Sequence, residues 1–217
     1  MTVIGQERTF TGTTMPSWYL EDADPIAANN PYTFYKPSRE IIAKVRPGEV
    51  VKLIFGFSSD EPDAPRAERM WVLVDECLTD GRFRGRLDNE PRHIQDLKPD
   101  DTVWFQPCNI IATEHDEHDN LVERYVKRCF VTMRVLEDGL KVGYLYREEP
   151  DTDNDSGWRI TANDESDEYM SDSDNIAFVS LGAVLSKDDS FRDLLGAPNG
   201  CAYVRNPLTG EFEECQA

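Results

Sequence analysis

Four short runs constrain this chain most: Val50–Phe57, Arg69–Val74 and Thr102–Phe105, each rich in β-branched or aromatic residues, and Arg82–Leu87, which is short and alternates. They are separated by Gly, Pro and Asp turns such as Thr79-Asp80-Gly81 and Leu97-Lys98-Pro99-Asp100-Asp101. Runs this short, closed off this often, read as strands and not as helical faces. Their order predicts a small meander or partly closed barrel. Ahead of them, Pro37–Val45 reads as a short helix with Ser38 as N-cap and Ile41 and Val45 on one face, ended by Pro47-Gly48. Residues 1–36 carry Pro16, Pro25 and Pro31 among the aromatics Trp18, Tyr19, Tyr32, Phe34 and Tyr35. They read as an irregular arm whose aromatics pack on the first module.

A second pattern follows the polar stretch Thr113–Asn120, which has almost no apolar content. Tyr125–Leu136 fits strand or helix, while Lys141–Arg147 and Gly157–Ala162 read as strands. Ile176, Val179 and Ala183 have helical spacing within the apolar segment Asn175–Leu185, and Ser190–Leu195 reads as a short helix ending at Gly196. Gly200–Arg205 would be a last strand, turned at Asn206-Pro207 and paired with Glu211–Glu213. The expectation is an α+β protein: an arm (1–36), a β-rich meander or barrel-like module (37–113), a polar linker (114–124), and a small sheet with one or two helices (125–217). No internal repeat of fixed period is present.

The 217 residues are 39% hydrophobic, enough for a packed core, and carry 42 acidic against 23 basic side chains for a net charge of -19. Such a field repels phosphate backbones and anionic membranes, which argues against nucleic-acid and membrane partners and favours a basic one. No apolar run is long enough for a membrane span, and Met1–Arg8 lacks a signal peptide's regions, so a cytoplasmic location is expected. Cys77, Cys108, Cys129, Cys201 and Cys215 form an odd set without CxxC spacing, so reduced thiols are expected, the first four as small hydrophobes in apolar segments.

Chemistry-bearing patterns are few. There is no nucleophile elbow, no Gly-rich phosphate loop and no Cys–His arrangement, which points away from an enzyme and from a bound cofactor. His115-x-x-His118 sits in the polar stretch without further ligands, and His93 has no nucleophile beside it; a metal site is not expected. Asp151, Asp153 and Asp155 alternate like the start of a calcium loop, but Ser156 and Ala162 stand where that loop needs Gly and Glu. Arg82, Arg84 and Arg86 alternate along one strand, where they could hold a phosphate or, in so acidic a chain, pair with carboxylates. Residues 148–174 hold eleven carboxylates and one arginine, the whole net charge of the second half. That stretch is a solvated acidic loop or an acidic recognition surface.

Two resemblances add to this reading. Pro37-Ser38-Arg39, Leu53-Ile54-Phe55, Glu68-Arg69-Met70-Trp71 and Gly85-Arg86-Leu87-Asp88-Asn89-Glu90-Pro91 make residues Thr33–Ala112 similar to an uncharacterised bacterial module. Gly143–Pro150, Asp155-Ser156-Gly157-Trp158-Arg159, Asp164-Glu165, Glu168-Tyr169, Asp174-Asn175 and Leu194–Pro198 make the stretch from about Cys129 to Glu214 resemble the bacterial immunity protein thirty-three family. Ile160–Asn163 and Val179–Val184 depart from that family's pattern, which bears on the partner's identity more than on the fold. The resemblance implies a non-catalytic protein that binds and neutralises a bacterial toxin. The alternative is a regulatory or ligand-binding module. The expected partner surface comprises Glu148, Glu149, Asp151, Asp153, Asp155, Trp158, Arg159, Asp164, Glu165, Asp167 and Glu168, facing a toxin with a basic surface. Trp158 reads either as an anchor offered to that partner or, preferably, as a pin that holds the loop, with Arg159 bridging the carboxylates around it.

Overall fold

The computed structural model describes residues 16–58 and 65–216, so the first fifteen residues of the expected arm lie outside the described residues. The chain divides into two compact units, one containing the described residues up to Asp24 with Pro37–Asp116, the other Pro25–Lys36 with the chain from Glu117 onward. It is mostly β structure with a few short helices.

The first unit is built on β2 (Val50–Phe57). β1 (Trp18–Leu20) and β6 (Ile110–Thr113) share one edge of β2, and β3 (Ala67–Cys77), β4 (Phe83–Leu87) and β5 (Thr102–Phe105) follow in order on the other, every pair antiparallel. Register shifts between Lys52 and Leu53 and between Val74 and Glu76 bend this sheet into a barrel-like form. Alternate residues of β4 and β5 point inward, and Phe83 stacks on Phe105 with 5.3 Å between ring centres. Leu53 to Phe57 are buried without alternation, as a strand covered on both faces requires. α2 (Arg39–Ile42) starts at Ser38, whose hydroxyl accepts from the Ile41 N–H, and it buries Ile41 and Ile42. The three arginines expected to pair do so: Arg82 with Asp80 at 2.8 Å, Arg84 with Glu76 at 3.3 Å, and Arg86 with Asp75 at 3.1 Å.

The second unit holds a mixed sheet of six strands. Its order is β10 (Ile176–Ser180), β7 (Arg128–Thr132), β9 (Asp155–Thr161), β8 (Tyr144–Arg147), β11 (Ala202–Arg205) and β12 (Phe212–Cys215), with only β7 and β9 parallel. Cys129, Val131, Leu145, Trp158 and Ile160 form one face. α4 (Met133–Leu136) and α6 (Leu181–Leu185) cover it through Val135, Leu181, Val184 and Leu185, with Val142 and Phe191 completing the core. α3 (Leu121–Arg124) is capped by Asn120, and α5 (Asp167–Ser171) by Ser166. All the thiols are free. Burial, with the nearby Asp155 charge, pushes the Cys129 thiol up to about 12 despite the opposing Arg159 charge, so it packs as an inert small hydrophobe.

Several local expectations are corrected. Asn175–Leu185 is not one helix: Ser180 accepts from the Ala183 N–H and starts α6 there, leaving Ile176–Ser180 as β10 along β7. Ser190–Leu195 forms only a single 3-10 turn, Arg192–Leu194. Tyr125–Leu136 divides into strand and helix, because Thr132 leaves the sheet and α4 begins at Met133. The polar stretch is structured at its start, where Asp116 accepts from the Thr113 N–H and hydroxyl. Cys77, expected in an apolar setting, is exposed. The described part of the arm splits. Trp18 and Leu20 pack on the first core, but Tyr32 is buried in the second. α1 (Ala23–Asn29) lies where the chain passes from one unit to the other.

Candidate partner surface

The acidic stretch is organised around β9. Gly157 has φ +81, a conformation that glycine adopts without strain, and this bend lets its N–H donate to Asp155 Oδ1 at 2.8 Å. A Cβ there would meet the Glu148 carbonyl at 2.3 Å. Beyond the bend Trp158 turns into the core, fully buried, and Arg159 turns to the opposite face. Two guanidinium nitrogens of Arg159 donate to the two Asp155 oxygens at 3.1 and 3.0 Å, its Nε reaches Glu148 at 3.0 Å, and Asp151 lies 3.7 Å away. Arg159 therefore bridges the carboxylates on both sides of the bend. Burial pushes the Asp155 carboxyl up, but the Arg159 hydrogen bonds and the N–H donors of Gly157 and Asp151 outweigh it and hold the group down at about 2.

The expected surface residues thus divide into three sets. Asp155 and Trp158 are buried and make no outer surface, and Arg159, also buried, reaches only the floor of the hollow on the opposite face. Glu165 is half-buried and works as a local clasp, accepting from the Thr132 hydroxyl at 2.5 Å and the Ala162 N–H at 2.8 Å. Its burial opposes ionisation, yet those donors keep its pKa below the ordinary carboxylate value. Glu148, Glu149, Asp151, Asp153, Asp164, Asp167 and Glu168 are exposed. Among the described residues no group of three or more His, Cys, Asp or Glu side chains converges to hold a metal ion, and the Asp155 oxygens a calcium loop would need are taken by Arg159.

Sequence reasoning missed the rest of this face. Strand alternation turns Phe130, Phe178, Tyr144 and Tyr146 away from the core, to the side where Arg159 lies. Phe130 and Phe178 meet at 4.8 Å between ring centres, Arg159 lies 4.8 Å over Phe130, and Tyr144 and Tyr146 lie 5.6 Å apart. Phe130, Tyr144, Tyr146 and Arg159 line, with Ile176 and Met170, an open hollow of about 430 Å³, next to a second that Tyr144 and Tyr146 share with Glu148 and Glu149. The signal was present in Tyr144-Leu145-Tyr146 and Cys129-Phe130-Val131, whose alternation puts aromatics on the face opposite the core.

Residues 129–216 match the family described as Immunity protein Imm33 domain. This stretch is an Imm33 domain. It takes in all six strands of the second sheet except the first residue of β7, and with them the acidic stretch and the aromatic face. The sequence resemblance expected from about Cys129 to Glu214 falls on the same residues. No curated protein and no solved structure matches the chain. No helix among the described residues is long and apolar enough to cross a membrane.

Proposed function

We propose that this protein neutralises a bacterial toxin by binding it, and that the exposed carboxylates of the Imm33 domain form the surface that meets the toxin. The observation that carries the reading is the coincidence of the Imm33 match with the stretch where eleven carboxylates stand against one arginine. That arginine is turned inward onto three of the carboxylates, so Glu149, Asp153, Asp167 and Glu168 keep their charge unpaired among the described residues. A neutralising partner needs a stable complementary surface and no reaction centre. Concentrated negative charge draws a basic cleft or loop and speeds its capture.

The test is protection. A candidate toxic domain, sought first among the genes adjoining this chain's, is expressed in a sensitive host with and without the chain, and the two purified proteins are mixed. Restored growth together with a one-to-one complex is the expected outcome. Growth arrest despite abundant folded protein, with no complex, would remove toxin neutralisation.

A further inference from the structure

We infer that the uncovered face of the Imm33 sheet is the binding floor of this protein, and that the Tyr144–Tyr146 pair there receives a lysine or arginine side chain of the partner. The inference deepens the toxin-binding reading and takes the partner's identity from it.

The two faces of this sheet differ. One is covered by α4 and α6 over Trp158, Leu145 and Ile160. On the other, Phe130 is 37% exposed and Met170, from the edge of α5, is 39% exposed, while Tyr144 and Tyr146 are half-buried. The available ring faces can be told apart. Arg159 already lies over Phe130, and Arg128 lies 5.5 Å from the centre of Phe178, so both phenylalanines have their cation supplied by the chain itself. No cation lies over the ring of Tyr144 or Tyr146 among the described residues, although Arg159 stands opposite Tyr146 across the strands, turned onto Phe130 and the carboxylates; the two hydroxyls have no hydrogen-bond partner among the described residues. The two tyrosines form the ridge between the adjoining hollows, with Glu148 and Glu149 beside them. Glu148 is engaged by Arg159, whereas Glu149 is exposed and unpaired among the described residues.

An electron-rich ring pair with an uncommitted carboxylate at its edge suits an ammonium or guanidinium group on an otherwise apolar loop. Ring faces and carboxylate act on the same positive charge, and Met170, Ile176 and Phe130 cover the aliphatic part of the loop. A second copy of this chain is the less suitable occupant. At a net charge of -19 it would bring its own carboxylate rim against this one.

The chemistry of the face is tested on the full chain with two small probes, acetyl-Arg-Leu-Arg-amide and acetyl-Glu-Leu-Glu-amide, followed through the NMR signals of the Met170 methyl and the Tyr144 and Tyr146 rings. The basic probe should shift these signals saturably, less so in high salt, and the acidic probe should not. Equal shifts from both probes, no shift from either, or shifts that track protein concentration alone would overturn the inference. Tyr144→Leu/Tyr146→Leu keeps apolar bulk but removes the ring faces, and its melting point reports whether the fold survives. In that folded variant the basic probe should lose its effect, and capture of a toxic domain that the parent chain neutralises should weaken by about tenfold or more. Undiminished capture and protection by the variant would sink the binding floor and leave the toxin reading intact. Failure of the parent chain to protect would instead remove the toxin as the partner, with the probes still deciding the chemistry of the face.

Discussion

Asp155, Gly157, Trp158 and Arg159 show at the residue scale how one short string serves structure first. The Asp155 carboxyl, held at about 2 against an ordinary 3.8, contributes stability that is fully present above the unfolded value and is lost as pH falls through the folded one. The loss therefore belongs to the window between about pH 4 and pH 2 and amounts to about 2 kcal/mol. Asp155→Asn should be clearly less stable than the parent at pH 7, and the gap in denaturant midpoint should close across that window; a constant gap would mean the ion pair is not its source. Trp158 is fully buried, and its Nε1 has no hydrogen-bond partner among the described residues. Its value lies in packing, so Trp158→Ala should cost about 3–5 kcal/mol. Trp158→Phe, which discards the unpaired N–H and keeps a ring, should cost clearly less by the same measurement. Equal losses would contradict a packing role. The reading of Trp158 as a pin with Arg159 bridging the carboxylates around it agrees with the buried indole and the Arg159 ion pairs, whereas the bend at Gly157 was not read. That Asp155 and Arg159 lie inside and not on the partner surface was not legible, because the inward turn of Arg159 depends on Glu148 and Asp151 arriving from the preceding loop.

At the scale of elements, strands were read best where alternation and turn residues agree. β2 and β5 begin and end where their composition says, and β11 and β12 pair about the Asn206-Pro207 turn as expected. β1 and β6 were missed: three or four residues carry too little pattern, and both are strands because the long edge of β2 offers partners for them. The segment Pro25–Lys36 was placed on the first core because aromatic content says that a residue is buried without saying where. Tyr32 packs edge-on against Tyr125 at 5.7 Å, and its hydroxyl donates to Asp189 at 3.0 Å. Gly182 of α6 lies under the Tyr32 backbone, and a Cβ there would come within 2.3 Å of the Tyr32 carbonyl oxygen. Gly182→Ala should therefore destabilise the second unit by about 1–3 kcal/mol, read as a lower melting point. A fragment of residues 117–217 should melt below the same unit in the full chain, and a synthetic peptide of residues 25–36 added in trans should raise its melting point. A fragment as stable as the intact unit would show that the Tyr32 contacts contribute nothing.

For the whole molecule, the net charge of -19 is the property most easily read from the sequence, yet its consequences depend on which carboxylates are free. Composition alone gave a patch in which Asp164, Glu165, Asp167 and Glu168 looked equivalent. In the folded chain Glu165 closes a turn through Thr132 and Ala162, and Asp164 lies 3.7 Å from Arg134, so amide replacements at these two would confuse stability with recognition. Glu149, Asp153, Asp167 and Glu168 are exposed and unpaired among the described residues, and they are the appropriate probes of long-range attraction. Changing all four to Gln or Asn removes four charges while each substitution should cost no more than about 0.5 kcal/mol of stability. If negative charge steers a basic toxin to this surface, the quadruple variant should associate more slowly at low salt with a nearly unchanged dissociation rate. The difference should shrink toward physiological ionic strength, where the screening length is about 8 Å. The aromatic floor predicts the opposite signature. Tyr144→Leu/Tyr146→Leu breaks short-range contacts formed only after encounter, so its loss should fall on the dissociation rate and vary little with salt. Measured on one toxin, the two variants separate attraction from grip, and a quadruple variant whose association rate equals the parent's at low salt would exclude steering by these four carboxylates.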